Sequence, residues 1–472
     1  MNKEKVKLNV CSIKDCGRPT HKESEYCIFH AKPEEKTEKE FKKALEKYIE
    51  KIKENNLDYN FIRFIFVGDI DFREDLSITI FKNANFGEAT FEGYADFSRS
   101  TFQKSVGFIR ATFKEMASFI RSTFKEEAFF RNVTFKREAS FMVATFEGYA
   151  DFAKATFKGD ALFNEANFEV EAYFGYATFK RRALFNEATF KGEEAYFGRA
   201  TFEEDANFRI KSFVKGVIFE EICVLPGKKL NLKVEDNKGT ISFKRTFLKN
   251  VYLDIDLDKD VLIDFTDALL MNTKIKKGQI ENHILWEKKK EFSKAKEVYL
   301  LLKNNFHNIG QYEDESWAFK KEKDMERKSN FHFKTLHKWL WSCFLNTIYG
   351  YGEKPQRVII SAILIIFIYA FVFMNYGIVS DPQLDNLPKY NILKELFMGI
   401  RYGDLLIRFK NISWEQIKNC LYFSTVTFTT LGLGDFSPVE SWGRIFVGTE
   451  AFIGAFMIAL FVYTFARRTG GR

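Results

Sequence analysis

Four residues near the amino terminus have the types and spacing to hold a metal. Cys11, Cys16, Cys27 and His30 read C-x4-C-x10-C-x2-H. Three thiolates and an imidazole suit a closed tetrahedral zinc site, and four protein ligands leave no open position for catalysis. Gly17 and Pro19 can turn the chain after the second cysteine, and Tyr26 and Phe29 can pack on the turn. His21 is a competing ligand, less naturally placed than the Cys-x-x-His pair of Cys27 and His30. A segment this small has little core, so bound metal would supply its folding energy. The expectation is a structural Zn2+ in a knuckle over residues 1–32. No Ser/His/Asp set, phosphate loop or open metal site stands out elsewhere, so an enzyme is not expected.

The elements that follow are set by phenylalanine. The chain has 472 residues, 55 of them Phe, and residues 81–220 hold 27 of these. From Phe86 to Phe213 they step alternately by five and six, with one extra residue before Phe197. This is an eleven-residue repeat in twelve copies, roughly A-T-F-x-x-x-A-x-F-x-x. A helix would throw the two Phe of each unit roughly 140° apart, into separate stripes. Thr before Phe favours extended structure. The repeat therefore reads as a β-solenoid of 22-residue coils, with the extra residue of each six-step at a corner. Six coils at about 4.8 Å give a rod of roughly 30 Å. Phe243, Phe265 and Leu270 mark degenerate coils beyond it. The small residue two places before each Phe (Ala89 before Phe91, Ala111 before Phe113) resembles pentapeptide repeat proteins. That resemblance implies a right-handed solenoid over residues 61–280. Residues 81–220 carry 20 basic and 20 acidic side chains, too neutral for a DNA mimic. No nucleic-acid partner is expected. A mixed-charge rod fits a scaffold, or a docking surface for an unknown cytoplasmic ligand or protein.

The flanking segments differ in character. Residues 33–60 are rich in Lys and Glu and read as a solvated helix or linker. Over 281–330, Phe292, Ala295, Tyr299, Leu302 and Phe306 step by three and four, then a break at Asn308-Ile309-Gly310 leads to Trp317, Ala318 and Met325. This is a helical hairpin, packed on the rod or on a neighbouring subunit, and a candidate coupling element. Residues 331–356 mix Lys334, His337 and Lys338 with Trp339, Trp341, Tyr349 and Tyr351, as an interfacial helix does.

Residues 358–380 carry no charge, long enough to span about 30 Å of hydrocarbon. A second apolar run, 445–466, is broken only by Glu450. Lys354 and Arg357 precede the first run, and Arg467 and Arg468 close the second. By the positive-inside rule both termini are cytoplasmic. The expectation is a multi-pass protein of a prokaryotic cell membrane, in contact with the lipid bilayer.

Between the spans, Thr430-Leu431-Gly432-Leu433-Gly434-Asp435 resembles the T-x-G-x-G-D filter of potassium channels, and residues 357–472 resemble their two-span pore module. A filter needs successive carbonyls facing one axis in place of an ion's water. Alternate glycines can adopt the dihedrals this demands. The resemblance implies that these six residues bind K+, with Tyr422, Phe423, Thr427 and Thr429 on a pore helix ending near the filter. It places a hinge glycine of the inner helix at Gly454 and implies a homotetramer conducting K+ passively. Three departures stand out: Leu433 in place of a filter Tyr, Tyr422-Phe423 in place of paired Trp, and Val426 where some bacterial channels carry an acid. The last would leave Asp435 freer. Glu450 either lies behind the filter, bonded to a hydroxyl such as that of Thr427, or near the outer interface. The whole chain thus reads as multidomain: zinc knuckle, solenoid and α-helical pore. The alternatives are a non-selective cation channel and a membrane-tethered scaffold with a vestigial pore.

Overall fold

The computed structural model describes residues 10–235, 237–329, 336–352, 354–376, 378–379, 414–438 and 441–469. Residues 331–335 of the expected interfacial helix and 380–413 of the expected pore segment lie outside the described residues. The chain divides into two compact units, residues 1–325 and 326–472, described separately below.

The first unit is a β-solenoid. Its strands are mostly two residues long and pair in parallel with strands one coil away. Thr112-Phe113 pairs with Thr134-Phe135, which pairs with Thr156-Phe157, a register of 22 residues. Ten strands stack on one face, from Tyr59–Asn60 to Val261–Asp264. In each pair one side chain points in and the other out. The inward Phe residues form four ladders. In one, Phe86, Phe108, Phe130 and Phe152 stack with ring centroids 4.7, 4.9 and 4.8 Å apart. Rings of facing ladders meet edge to face, as Phe108 and Phe119 do at 5.4 Å and 86°. Both arrangements suit the aromatic quadrupole, and every one of these rings is fully buried.

The five-step and six-step corners differ. After Phe97, the Ser100 amide donates to the Phe97 carbonyl, with Arg99 at φ 58°. This left-handed third residue recurs every eleven positions, at Arg110, Arg121, Asn132, Val143 and Lys154. The six-step corners, such as 103–105, form wider bends that absorb the extra residue. The inserted residue before Phe197 is absorbed the same way: Ala172 pairs with Ala195, 23 residues on. Past this point the coils lengthen, and Ala206 pairs with Leu230, 24 residues on. Phe243 and Phe265 continue a ladder from Phe219 at 5.5 and 5.6 Å, so the degenerate coils belong to the same rod.

Both ends of the ladders are covered. At the start, α1 (Glu38–Glu54) opens with a capping box of Thr37 and Glu40. It buries Phe41, Leu45, Ile49 and Ile52 in the rod's core cluster, so the segment read as a solvated helix or linker is a cap. At the other end, α2 (Phe292–Asn308) and α3 (Tyr312–Ser329) carry the expected hairpin stripe. Ala295, Val298, Tyr299, Leu302 and Phe306 join the rod's core. The buried Asn305 amide takes both backbone groups of Thr273, accepting from its N–H at 2.9 Å and donating to its carbonyl at 2.8 Å. The hairpin's stripe thus packs on its own rod.

The second unit is helical: α4 (Leu336–Tyr349), α5 (Pro355–Tyr376), α6 (Trp414–Phe428) and α7 (Ser441–Thr469). Pro355 starts α5 where its missing N–H costs nothing. Two stretches, Pro355–Met374 and Trp442–Ala466, are long and apolar enough to cross a membrane. Their outward faces are apolar, with Ile360, Leu364 and Phe367 on α5 and Phe452, Phe456 and Val462 on α7 exposed. Such faces suit lipid or a neighbouring chain.

Candidate functional site

The structure brings Cys11, Cys16, Cys27 and His30 together. Their ligand atoms all lie within 4.8 Å of one another. Cys11 Sγ and Cys27 Sγ stand 3.4 and 3.3 Å from His30 Nδ1, and Cys16 Sγ is 3.7 Å from Cys27 Sγ. A tetrahedron with bonds of about 2.3 Å has edges of about 3.7 Å, so the donor set fits zinc. His30 Nε2 lies 3.2 Å from the Ile62 carbonyl, to which it can donate. That bond fixes the tautomer and leaves Nδ1 as the ligand atom. Burial holds His30 below the usual histidine range and pushes the Cys27 thiol up to about 12. Thiols this close resist ionising without a cation to offset their charge. His21, the competitor, is absent from the cluster.

The knuckle is keyed to the first coil. Ile62 belongs to that coil, and the Arg18 guanidinium lies over Phe29, Tyr48 and Phe64 at 4.9–5.3 Å. Phe29 stacks on Phe64 at 4.6 Å. Lys36 is buried, with Nζ donating to the Ile28 and Ile65 carbonyls at 2.7 Å each. Arg18, Lys36 and Ile62 were not among the expected site residues. Ile62 acts through its backbone, which leaves no signature in sequence.

In the second unit, α6 lies against α5 and α7. Phe423 meets Phe373 of α5 at 4.9 Å in a core with Ala370 and Cys420. The helix ends at Phe428, where the Thr430 and Leu431 amides cap the Thr427 and Val426 carbonyls at 3.0 Å. The Thr429 hydroxyl turns back to the Thr425 carbonyl at 2.8 Å. Beyond it, Thr430, Gly432 and Gly434 take φ of 54°, 52° and 76°, alternating with Leu431 and Leu433 on the other side of the plot. Residues 430–435 are all exposed. Left-handed residues at every second position turn successive carbonyls toward one side, and glycine takes that region without steric cost.

The segment leaves through a short antiparallel pair, Ser437–Pro438 against Ile378–Val379 at the end of α5. Tyr422 hydrogen-bonds Asp435 and meets Phe436 edge on at 6.0 Å. The carboxylate read as freer therefore has a partner in a residue standing where the family has Trp. Glu450 is fully buried, which removes the reading at an exposed interface. Its Oε1 meets the Ser424 hydroxyl rather than that of Thr427. Ser424 also reaches the Ile366 carbonyl at 2.9 Å. Ser424 and Thr427 are one turn apart on the same helical face, and spacing alone does not choose between them. Gly454 lies where α7 crosses the end of α6: a Cβ there would overlap the Phe428 carbonyl.

Comparison with protein families finds the description "Ion channel" at residues 396–470. "Pentapeptide repeats (9 copies)" match at 97–141, 144–189 and 171–209. Neither curated proteins nor solved structures gave a match. The first match contains α6, the exposed segment 430–435 and α7; the others fall on the Phe ladders. The chain is a pentapeptide-repeat β-solenoid fused to a two-span ion-channel segment of the potassium-channel pore type.

Proposed function

We propose that the protein is a potassium-selective channel, a homotetramer with passive K+ conduction through Thr430–Asp435. The observation that carries this reading is the alternation of left-handed backbone at Thr430, Gly432 and Gly434, directly after a helix that ends toward it. Four such segments around an axis would offer rings of carbonyls in place of water. The carbonyl end of α6 adds partial negative charge where a cation would wait. One chain cannot close such a ring, hence the tetramer. Arg357 and Lys354 before the first span and Arg467-Arg468 after the second support cytoplasmic termini. The knuckle then sits where thiols stay reduced and can hold Zn2+. Zinc there would fix the fold of residues 1–32, with Cys11, Cys16, Cys27 and His30 as its ligands. The rod serves assembly or gating from the cytoplasmic side.

A second reading, a non-selective cation channel, is favoured by Leu433, which lacks the hydroxyl that braces a filter Tyr. Flux from liposomes with K+ or Na+ gradients separates the two, with Gly432→Ala as control. K+ flux well above Na+ flux is expected. Equal fluxes would establish the non-selective pore. No flux under any condition would leave a tethered scaffold.

A further inference from the structure

One face of the rod changes chemistry over its last three levels. Along this face the outward column runs Thr90, Thr112, Thr134, Thr156, Thr178 and Thr201, in register. The column two residues on is charged, and ion pairs such as Lys114–Glu92 at 2.8 Å and Lys180–Glu203 at 3.3 Å run along it. Thr201 then pairs with Cys223, whose strand lies beside Phe247–Lys249, which pairs with Leu269–Met271. Here the outward residues are Cys223, Leu225, Phe247, Lys249, Leu269 and Met271. Leu269 is 61% exposed, Phe247 48%, Met271 44% and Leu225 38%. Large apolar side chains held side by side in water mark a contact surface.

We infer that this patch is an interface between rods, covered by a second copy of this chain. The inference rests on the channel reading above. Each rod is covalently joined to a pore segment, so a tetrameric pore holds four rods together. Tethering of this kind gives an effective concentration of about millimolar, and a patch of a few side chains is then enough to associate. The rim favours protein over a lipid surface. Anionic membranes are met by clusters of about 4–8 Lys or Arg. Here the charges beside the patch are already paired: Arg245 with Glu220 and Glu221, and Lys228 with Glu204. Next to it stands a neutral amide pair, Asn250 and Asn272, 3.2 Å apart. A mixed rim around an apolar centre is the anatomy of a protein interface.

The test uses the full chain in phosphatidylcholine–phosphatidylglycerol liposomes, with p-benzoylphenylalanine in place of Leu269 and, separately, of Thr134. Copies per particle are counted by photobleaching of a fluorescent tag. The expected result is four copies and a light-induced adduct of two chains from position 269, absent from position 134. Phe247→Glu should reduce that adduct several-fold. Four copies with no chain–chain adduct at 269, with lipid adducts in its place, or with equal adducts at both positions, would overturn the interface and leave the channel standing. A single copy per particle would reject both.

Discussion

The Ser424 hydroxyl of α6 contacts both the buried Glu450 carboxyl of α7 and the Ile366 carbonyl of α5. A hydroxyl has one proton to give, and a backbone carbonyl has none. If Ser424 donates to Ile366, the Glu450 side chain must supply the proton of the other bond. Glu450→Gln keeps a donor there and is expected to retain flux. Glu450→Leu leaves the buried Ser424 without that partner, at a cost of about 1–3 kcal/mol. Its flux per channel should fall while the amount of assembled protein holds. Liposome flux normalised to reconstituted protein reads both. Equal flux from the Gln and Leu variants would remove Glu450 from any part in positioning α6.

The knuckle predicts a metal-dependent end to the rod. One zinc per chain is expected by elemental analysis. Removal by chelator should expose amides in residues 10–32 and in α1, because His30, Arg18 and Phe29 all bear on the first coil. Hydrogen exchange of the central coils should not change, since a stacked array transmits only nearest-neighbour contacts. Cys16→Ser should act as the chelator does, and His21→Ala should not.

Val143 is the one β-branched residue in the left-handed series at the corners between Phe86 and Phe213. That region costs an L-residue roughly 1–2 kcal/mol, and Asn much less. Val143→Asn is therefore expected to stabilise the rod by about 1 kcal/mol in denaturant unfolding of the purified chain. Asn132, at the neighbouring corner, already shows the favoured residue.

The rod was legible because its period is carried by one residue type. Phe at five and six fixes which side chains point in, and the Ala two places earlier leaves room for the rings. The metal set was legible for the same reason, as four chemically distinctive residues at fixed spacing. What was not legible lay in tertiary contact. The composition of α1 is dominated by Lys and Glu, yet Phe41, Leu45, Ile49 and Ile52 form a stripe that buries itself on the first coil. The partner of Glu450 had two hydroxyl candidates on one face of α6, and only packing distinguished Ser424 from Thr427. The apolar levels at Phe247 and Leu269 were hidden because in a strand pair the sequence does not say which of two apolar neighbours points out.

Buried Lys36 gives the cap a pH dependence of definite sign. Burial lowers its pKa from 10.5 to about 7, with the charges of Cys27, Glu92 and Glu35 opposing the shift. Below about pH 7 the folded and unfolded chains both hold the proton, and the full cost of burying the charge is present. Between about 7 and 10.5 the unfolded chain holds a proton that the folded one has released. Unfolding then takes up protons, so stability rises with pH across that window. Local unfolding of α1, followed by hydrogen exchange with zinc kept saturating, should become rarer as pH rises from 7 to 9, after correction for the intrinsic exchange rate. Lys36→Met cannot donate to the Ile28 and Ile65 carbonyls, so its cap is weaker above pH 9. Its local stability should nonetheless be flat where the native protein's rises. A native cap that weakens with pH over this range would show that Lys36 stays charged and is held by those carbonyls.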